Sequence, residues 1–196
     1  MKTQSTIFML IVGIIFSGIN QLYCQDNLKT IYIVRHAKSN HDNPTLTDFE
    51  RPLETKGEEN AKTVGELLSR KKINIDLIIS SPSKRTVETT RIICKEINYD
   101  FVNVKLDPSI YQSTLENYVD IIKNIDNTYQ SVMVIGHNPA STQLANFLQA
   151  KLNISDVPTA GIVAIQFTVK TWKEISSKSA ELLFFYDPDD ITKTSD

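Results

Sequence analysis

The chain has 196 residues, 41% hydrophobic and 22% charged, which suits one domain with a substantial core and excludes disorder as its main state. Lys and Arg total 21 against 23 Asp and Glu, a net charge of −2 with no polybasic block, which excludes the footprint of a nucleic-acid binder or of an anionic-membrane patch. The two cysteines exclude a disulfide scaffold and a cysteine-rich zinc site, and histidine chemistry is confined to His36, His41 and His137.

The chain opens with Lys2 and an apolar run from Ile7 to Phe16 that fades at Ser17-Gly18-Ile19. That run is shorter than the ~18 apolar residues a membrane span needs. A positive start, a short greasy stretch and a polar boundary predict a secretory signal over residues 1–24, with the mature domain covering 25–196. The product is then expected in the periplasm or outside the cell, without a stable membrane span. The alternatives are a lipid anchor at Cys24, although Leu22-Tyr23 suits a lipobox poorly, and an uncleaved anchor. After cleavage Cys94 is the only cysteine, expected to be buried in a helix and inert.

In the mature chain, Thr30–Val34 is a near-continuous apolar run and reads as a buried central strand of a parallel sheet. Lys38–Thr55, with Pro44 and Pro52, reads as an irregular polar loop. Gly57–Lys71 has helical spacing, Asp76–Ser80 is a second strand, Pro82–Ile97 a helix, and Phe101–Leu106 alternates like a third strand. Leu115–Ile125 is predicted helical, with Leu115, Val119, Ile122 and Ile125 on one side. Ser131–Ile135 is a fourth buried strand, followed by a helix over Pro139–Ala150. Gly161–Val169 and Glu181–Tyr186 follow without a helix of comparable length between them, which predicts an antiparallel pair at a sheet edge. Trp172 reads as an edge-strand packing residue and Asp187–Asp190 as a solvated end. Together these elements predict a three-layer α/β/α sandwich on a mostly parallel central sheet with an antiparallel edge.

Three segments sit at the carboxyl ends of predicted strands, where α/β sheets bind ligands: Arg35-His36, Ser80–Arg85 and Gly136–Pro139. The second and third open helices, with Ser81 and Asn138 as caps and Pro82 and Pro139 at the first helical positions. Helix N-termini and arginine forks favour an anion, so Arg35, Arg85, His36, His137 and Asn138 point to one phosphoryl-binding site. His41, in the polar loop, reads as a surface residue. P-loop, dinucleotide and H-E-x-x-H signatures are missing.

These residues resemble the histidine phosphatase superfamily: Arg35-His36-Ala37 after a strand, Ser81-Pro82 with Arg85 and Glu88-Thr89 beyond, and Gly136-His137-Asn138-Pro139. Ala37 in place of the usual Gly is similar to the SixA-like phosphohistidine phosphatases. Further matches are Arg51-Pro52-Leu53 with Gly57, Pro158–Gly161 leading into a late strand, and Trp172; together they span Ile31 to Pro188. The resemblance implies a phosphoglycerate mutase-like fold and a hydrolase that needs no cofactor or metal. It implies that His36 is the nucleophile and passes through a phosphohistidine, with Arg35, Arg85 and His137 binding the phosphoryl oxygens.

Many relatives also carry an acid for the leaving group, either after the third strand or directly after the second histidine. Here Asn138 occupies the latter position and Tyr111-Gln112 falls near the former, with Asp107 and Glu116 as flanking substitutes. The expected substrate is a phosphorylated small molecule or phosphoprotein, as a phosphoramidate or a phosphomonoester. The alternative is a catalytically weak phosphate- or phosphoprotein-binding module.

Overall fold

The computed structural model describes residues 28–190; the expected signal segment lies outside them. Six strands form one sheet: β1 (Leu28–Arg35), β2 (Leu77–Ser80), β3 (Lys105–Leu106), β4 (Ser131–Gly136), β5 (Ile162–Thr168) and β6 (Ala180–Tyr186), in the order β3-β2-β4-β1-β5-β6. The β3-β2-β4-β1 side is parallel, and β5 and β6 add antiparallel strands next to β1. β1 is therefore the seam between the two halves, paired parallel with β4 and antiparallel with β5.

The strand period of two explains the three layers. Ile31 and Ile33 face the apolar cluster built with α3 (Leu115–Lys123) and α4 (Ala140–Leu148), which supply Tyr118, Ile122, Leu144 and Leu148. Tyr32 and Val34 face the opposite cluster, built with α1 (Thr55–Arg70) and α2 (Lys84–Glu96) through Ala61, Val64, Leu68, Ile93 and Cys94. Both faces of the central strands are covered, which is why they read as unbroken apolar runs. Among the described residues no helix is long and apolar enough to cross a membrane.

Several details depart from the sequence reading. Only Lys105–Leu106 of the expected third strand pairs with β2; Phe101–Asn103 is instead a 3-10 turn, capped by Asp100, whose side chain accepts from the Val102 amide. Trp172 is fully buried in a 3-10 turn between β5 and β6 rather than on an edge strand, its Nε1 donating to the Tyr129 carbonyl at 3.0 Å. The acidic end is tied back to α1, because Asn60 Nδ2 donates to Asp189 Oδ1 at 3.1 Å. Cys94 is buried, and burial pushes its thiol up to about 11.

Candidate active site

The order β2-β4-β1 puts three strand ends side by side, and main-chain bonds lace the segments that leave them. The His36 amide donates to the Gly136 carbonyl at 2.9 Å, and Ser81 donates to Ile135 at 3.0 Å. Arg35 donates to Gly161 at 3.1 Å, and Ala160 to His36 at 3.2 Å. Gly136 is required at its position because a Cβ there would lie 1.7 Å from the Tyr118 hydroxyl. Gly57, at the start of α1, makes similar room for the Lys38 carbonyl, 2.1 Å from where a Cβ would stand.

His36 and His137 meet with ring centroids 5.0 Å apart. Their hydrogen bonds settle both tautomers. His36 Nδ1 lies 2.8 Å from the Ala37 carbonyl, which can only accept, so Nδ1 carries the proton and Nε2 keeps its lone pair. Arg85 Nη2 donates to His137 Nδ1 at 3.2 Å, so there the proton sits on Nε2, which donates to Ser81 Oγ at 2.9 Å. Burial, then the charges of Arg85, Arg35 and Arg51, lower His36 to about 4. Burial, then His36, Arg85 and Arg35, lower His137 to about 3. Both rings are therefore neutral at pH 7.

Arg35 and Arg85 are held by their outer nitrogens. Arg35 Nη1 donates to Asp156 Oδ2 at 2.6 Å and to the Val157 carbonyl at 2.8 Å. Arg85 Nη2 donates to Asp48 Oδ2 at 2.9 Å, and its Nη1 to the Asp48 carbonyl. The Nε of each arginine is buried and has no hydrogen-bond partner among the described residues. A buried donor without a partner is costly, so these two positions are ready for an acceptor from outside the chain. Arg85 touches His137 directly and Arg35 precedes His36 at the end of β1, and both charges help to lower the imidazole pKa values.

The structure thus brings His36, His137, Arg35 and Arg85 together and rearranges the rest. Ser81 does not cap α2, because its hydroxyl serves His137; Ser83, with φ −64° and ψ 148°, is the cap residue and Lys84 begins the helix. Asn138 does not cap α4, which begins at Ala140. Its Nδ2 donates to Asp156 Oδ1 and to the Val157 carbonyl at 3.0 Å, so the amide is not free for an anion.

Asp107 and Glu116 are not at the site either. Asp107 Oδ1 caps its own 3-10 turn, accepting from the Ser109 amide at 3.0 Å and its hydroxyl at 2.6 Å. Glu116 is exposed in the first turn of α3, bonded to Thr114. His41 is exposed and bonded to Arg51.

The carboxylate that does stand at the site is Asp48, which the sequence reading did not single out. It accepts from Arg51, Arg85 and, at 3.0 Å, the Tyr111 hydroxyl. Burial pushes its carboxyl up, but the hydrogen bonds from Arg51, Arg85 and Tyr111 and the Arg85 charge outweigh this and hold it well below the usual range. Tyr111 stands edge-on to His137, centroids 5.7 Å apart, and to Phe49 at 5.0 Å. One readable signal was Thr47-x-x-Glu50, a capping-box pattern ahead of Arg51, in which Glu50 Oε2 accepts from the Thr47 amide at 3.1 Å. That turn presents Asp48 and Arg51 on the same side.

Comparison with known proteins gives a consistent picture. A sequence model of the histidine phosphatase superfamily, branch 1, matches residues 31–112. An uncharacterized chloroplastic protein of Arabidopsis thaliana is 28% identical over 155 residues, 74% of this chain and 70% of the relative. A broad-specificity phosphatase of Saccharomyces cerevisiae is 28% identical over 112 residues, 54% of this chain, and the match spans only 46% of that relative. Among solved structures, an Agrobacterium tumefaciens protein proposed to be the phosphohistidine phosphatase SixA superposes with a TM-score of 0.67 at 26% identity, covering 82% of this chain and 98% of that one. The protein histidine phosphatase SixA in complex with tungstate gives 0.69 at 19% identity, covering 81% and 97%.

Proposed function

Since the chain belongs to the histidine phosphatase superfamily, we propose that it hydrolyses phosphoramidates or phosphomonoesters through a phosphohistidine on His36. The observation that carries this reading is the pair of buried, unpartnered Nε donors of Arg35 and Arg85 beside two neutral imidazoles. His36 Nε2 has the free lone pair the chemistry needs, and its Nδ1–H is anchored on Ala37.

In the first step Nε2 forms a bond to phosphorus while the bond to the leaving atom breaks, and that atom keeps the electron pair. In the second, a water oxygen bonds to phosphorus, the P–N bond breaks and returns its pair to the imidazole, and inorganic phosphate departs with the water's proton shed to phosphate or solvent. Arg35 and Arg85 neutralise the charge on the phosphoryl oxygens throughout, already positioned before substrate arrives. His137 lies beside them, its orientation set by Arg85 and Ser81. None of these steps requires a metal.

The acid side of the reaction is weakly provided for. Asp48 is held ionised by its arginines, and the Tyr111 hydroxyl already donates its hydrogen bond to Asp48. The leaving atom therefore departs without a proton from the enzyme, which favours aryl esters, whose oxide is stable, and phosphoramidates whose nitrogen already carries a proton from solvent. The test is a panel of phosphoramidate, aryl phosphate and alkyl phosphate. The first two should outrun the third by about 10² or more, the low end of what a general acid supplies. Rates independent of leaving-group pKa would overturn this version. The reading includes export, supported by the signal-like pattern of residues 1–24, so the substrates would be phosphoesters or exported phosphoproteins met beyond the cytoplasm.

A further inference from the structure

We propose that Asp156, Asn138 and Thr142 form a brace that positions the Arg35 guanidinium, and that position 138 carries an amide because a carboxylate there would break the brace. This deepens the phosphatase reading and rests on it.

The bonds close into a ring. Asp156 Oδ2 accepts from Arg35 Nη1 at 2.6 Å while its Oδ1 accepts from Asn138 Nδ2. Asn138 Oδ1 accepts from the Thr142 hydroxyl at 2.9 Å, and Thr142 Oγ1 accepts from the Val157 amide at 2.9 Å. The Val157 carbonyl accepts from both Arg35 Nη1, at 2.8 Å, and Asn138 Nδ2, at 3.0 Å. The Asn138 amide is thus fully engaged, giving both of its hydrogens and receiving one at its oxygen. With Nη1 fixed between a carboxylate and a carbonyl, the guanidinium plane is set and its buried Nε is left for an anion.

An Asp at 138 has no hydrogens to give. Its oxygens would face the Asp156 carboxylate and the Val157 carbonyl, so Asp156 would be repelled from Arg35. Position 138 directly follows His137 and lies where an acid could stand by sequence. The structure assigns it instead to positioning. Asp156 is itself 58% exposed as a side chain, so its ion pair with Arg35 adds little to global stability and its loss should leave the fold intact.

The test uses Asp156→Ala, Asp156→Asn, Asn138→Asp and the swap Asn138→Asp/Asp156→Asn, with wild type alongside. Readouts are kcat and KM on an aryl phosphate, inhibition by inorganic phosphate, and melting temperature. A misplaced Arg35 should raise KM and the phosphate inhibition constant by about tenfold or more in Asp156→Ala and in Asn138→Asp. Asp156→Asn, which keeps an acceptor for Arg35, should lose less. The swap restores one carboxylate and one amide across the contact and should recover most of the Asn138→Asp loss, with melting temperatures nearly unchanged throughout. Wild-type phosphate binding in Asn138→Asp, or a swap no better than that single variant, would overturn the brace. So would faster alkyl phosphate turnover in Asn138→Asp, which would make position 138 an acid site. If wild type neither turns over aryl phosphate nor is inhibited by phosphate, the phosphatase reading fails and takes the brace with it. If wild type does both and every variant matches it, the brace alone fails.

Discussion

Strand β1 carries a cation near each end, Lys29 buried and Arg35 half-buried, and the two are treated in opposite ways. At its start, Lys29 is fully enclosed. Its Nζ donates to the carbonyls of Asn127 at 2.6 Å and Tyr129 at 3.0 Å, with the Trp172 ring 5.8 Å away. At its finish, Arg35 is held by Asp156 and Val157 but keeps a buried Nε without a partner. Five residues separate a cation whose described bonds are internal from one with a donor in reserve. A buried polar group normally finds its partner within the protein. The exception, repeated at Arg85, marks where an external anion belongs, while the Lys29 cluster knits β1 to the 127–129 loop and the β5–β6 connection.

The sharpest way to break this contrast is a reciprocal pair of substitutions. His36→Ala should cut phosphatase turnover by about 10⁴-fold or more, because it removes the covalent step. It should leave the denaturation midpoint close to wild type. Lys29→Ala should do the reverse, lowering stability by about 3 kcal/mol through a lost side-chain stem and an orphaned Asn127 carbonyl. Its kcat and KM should stay at wild-type values. Measurable turnover in His36→Ala, or a kinetic defect in folded Lys29→Ala, would erase the division of labour between the two ends.

Much of this arrangement was legible in the sequence. The buried strands announced themselves because both faces of β1, β2 and β4 are covered, leaving few polar positions to blur the pattern. Strand order then carried Arg35, His36, Arg85 and His137 to one edge, since residues directly after parallel strands share an end of the sheet. What was not legible is the choice of carboxylate. Asp48 opens a 3-10 turn whose capping box is readable but says nothing of a site, and Asp156 lies in a loop, so local pattern alone does not rank them above Asp107 or Glu116. Their partners, Arg85 and Arg35, are 37 and 121 residues away in the chain. The caps failed for the same reason: Ser81 and Asn138 have good local chemistry for capping, but His137 and Asp156 offered them stronger tertiary partners.

A second expected effect is a loss of stability between pH 6 and pH 5 that arises mainly at the catalytic end. The folded pKa values of His36 and His137, about 4 and about 3, lie below the ~6.5 of an unfolded histidine. As pH falls through that value, the unfolded chain takes up protons that the folded chain refuses. The stability these neutral rings contribute is therefore full above ~6.5, declines below it, and stops declining near the folded values. Between pH 6 and pH 5 the pair should cost about 2 kcal/mol. Urea denaturation at the two pH values checks this in wild type and in the His36→Ala/His137→Ala variant, which should lose most of the slope. An unchanged slope would mean that the rings titrate as they do in the unfolded chain.

The smallest effect speaks most directly to the open donors. If the Nε atoms of Arg35 and Arg85 wait for an anion, inorganic phosphate should bind the folded chain and not the unfolded one. At ten times its dissociation constant, phosphate then adds about 1.4 kcal/mol, enough to raise the melting temperature by about 3–5 °C. Lys29→Ala should start from a lower melting temperature yet gain the same increment, because its cluster touches none of the anion's donors. Arg85→Ala should gain almost nothing, having lost one of the two buried donors together with the bonds to Asp48 and His137. Chloride at matched ionic strength controls for screening, which acts on exposed charges wherever they lie. An equal rise with chloride, or a rise that survives in Arg85→Ala, would mean that the unpartnered nitrogens are not what the anion finds, and the contrast between the two ends of β1 would lose its functional meaning.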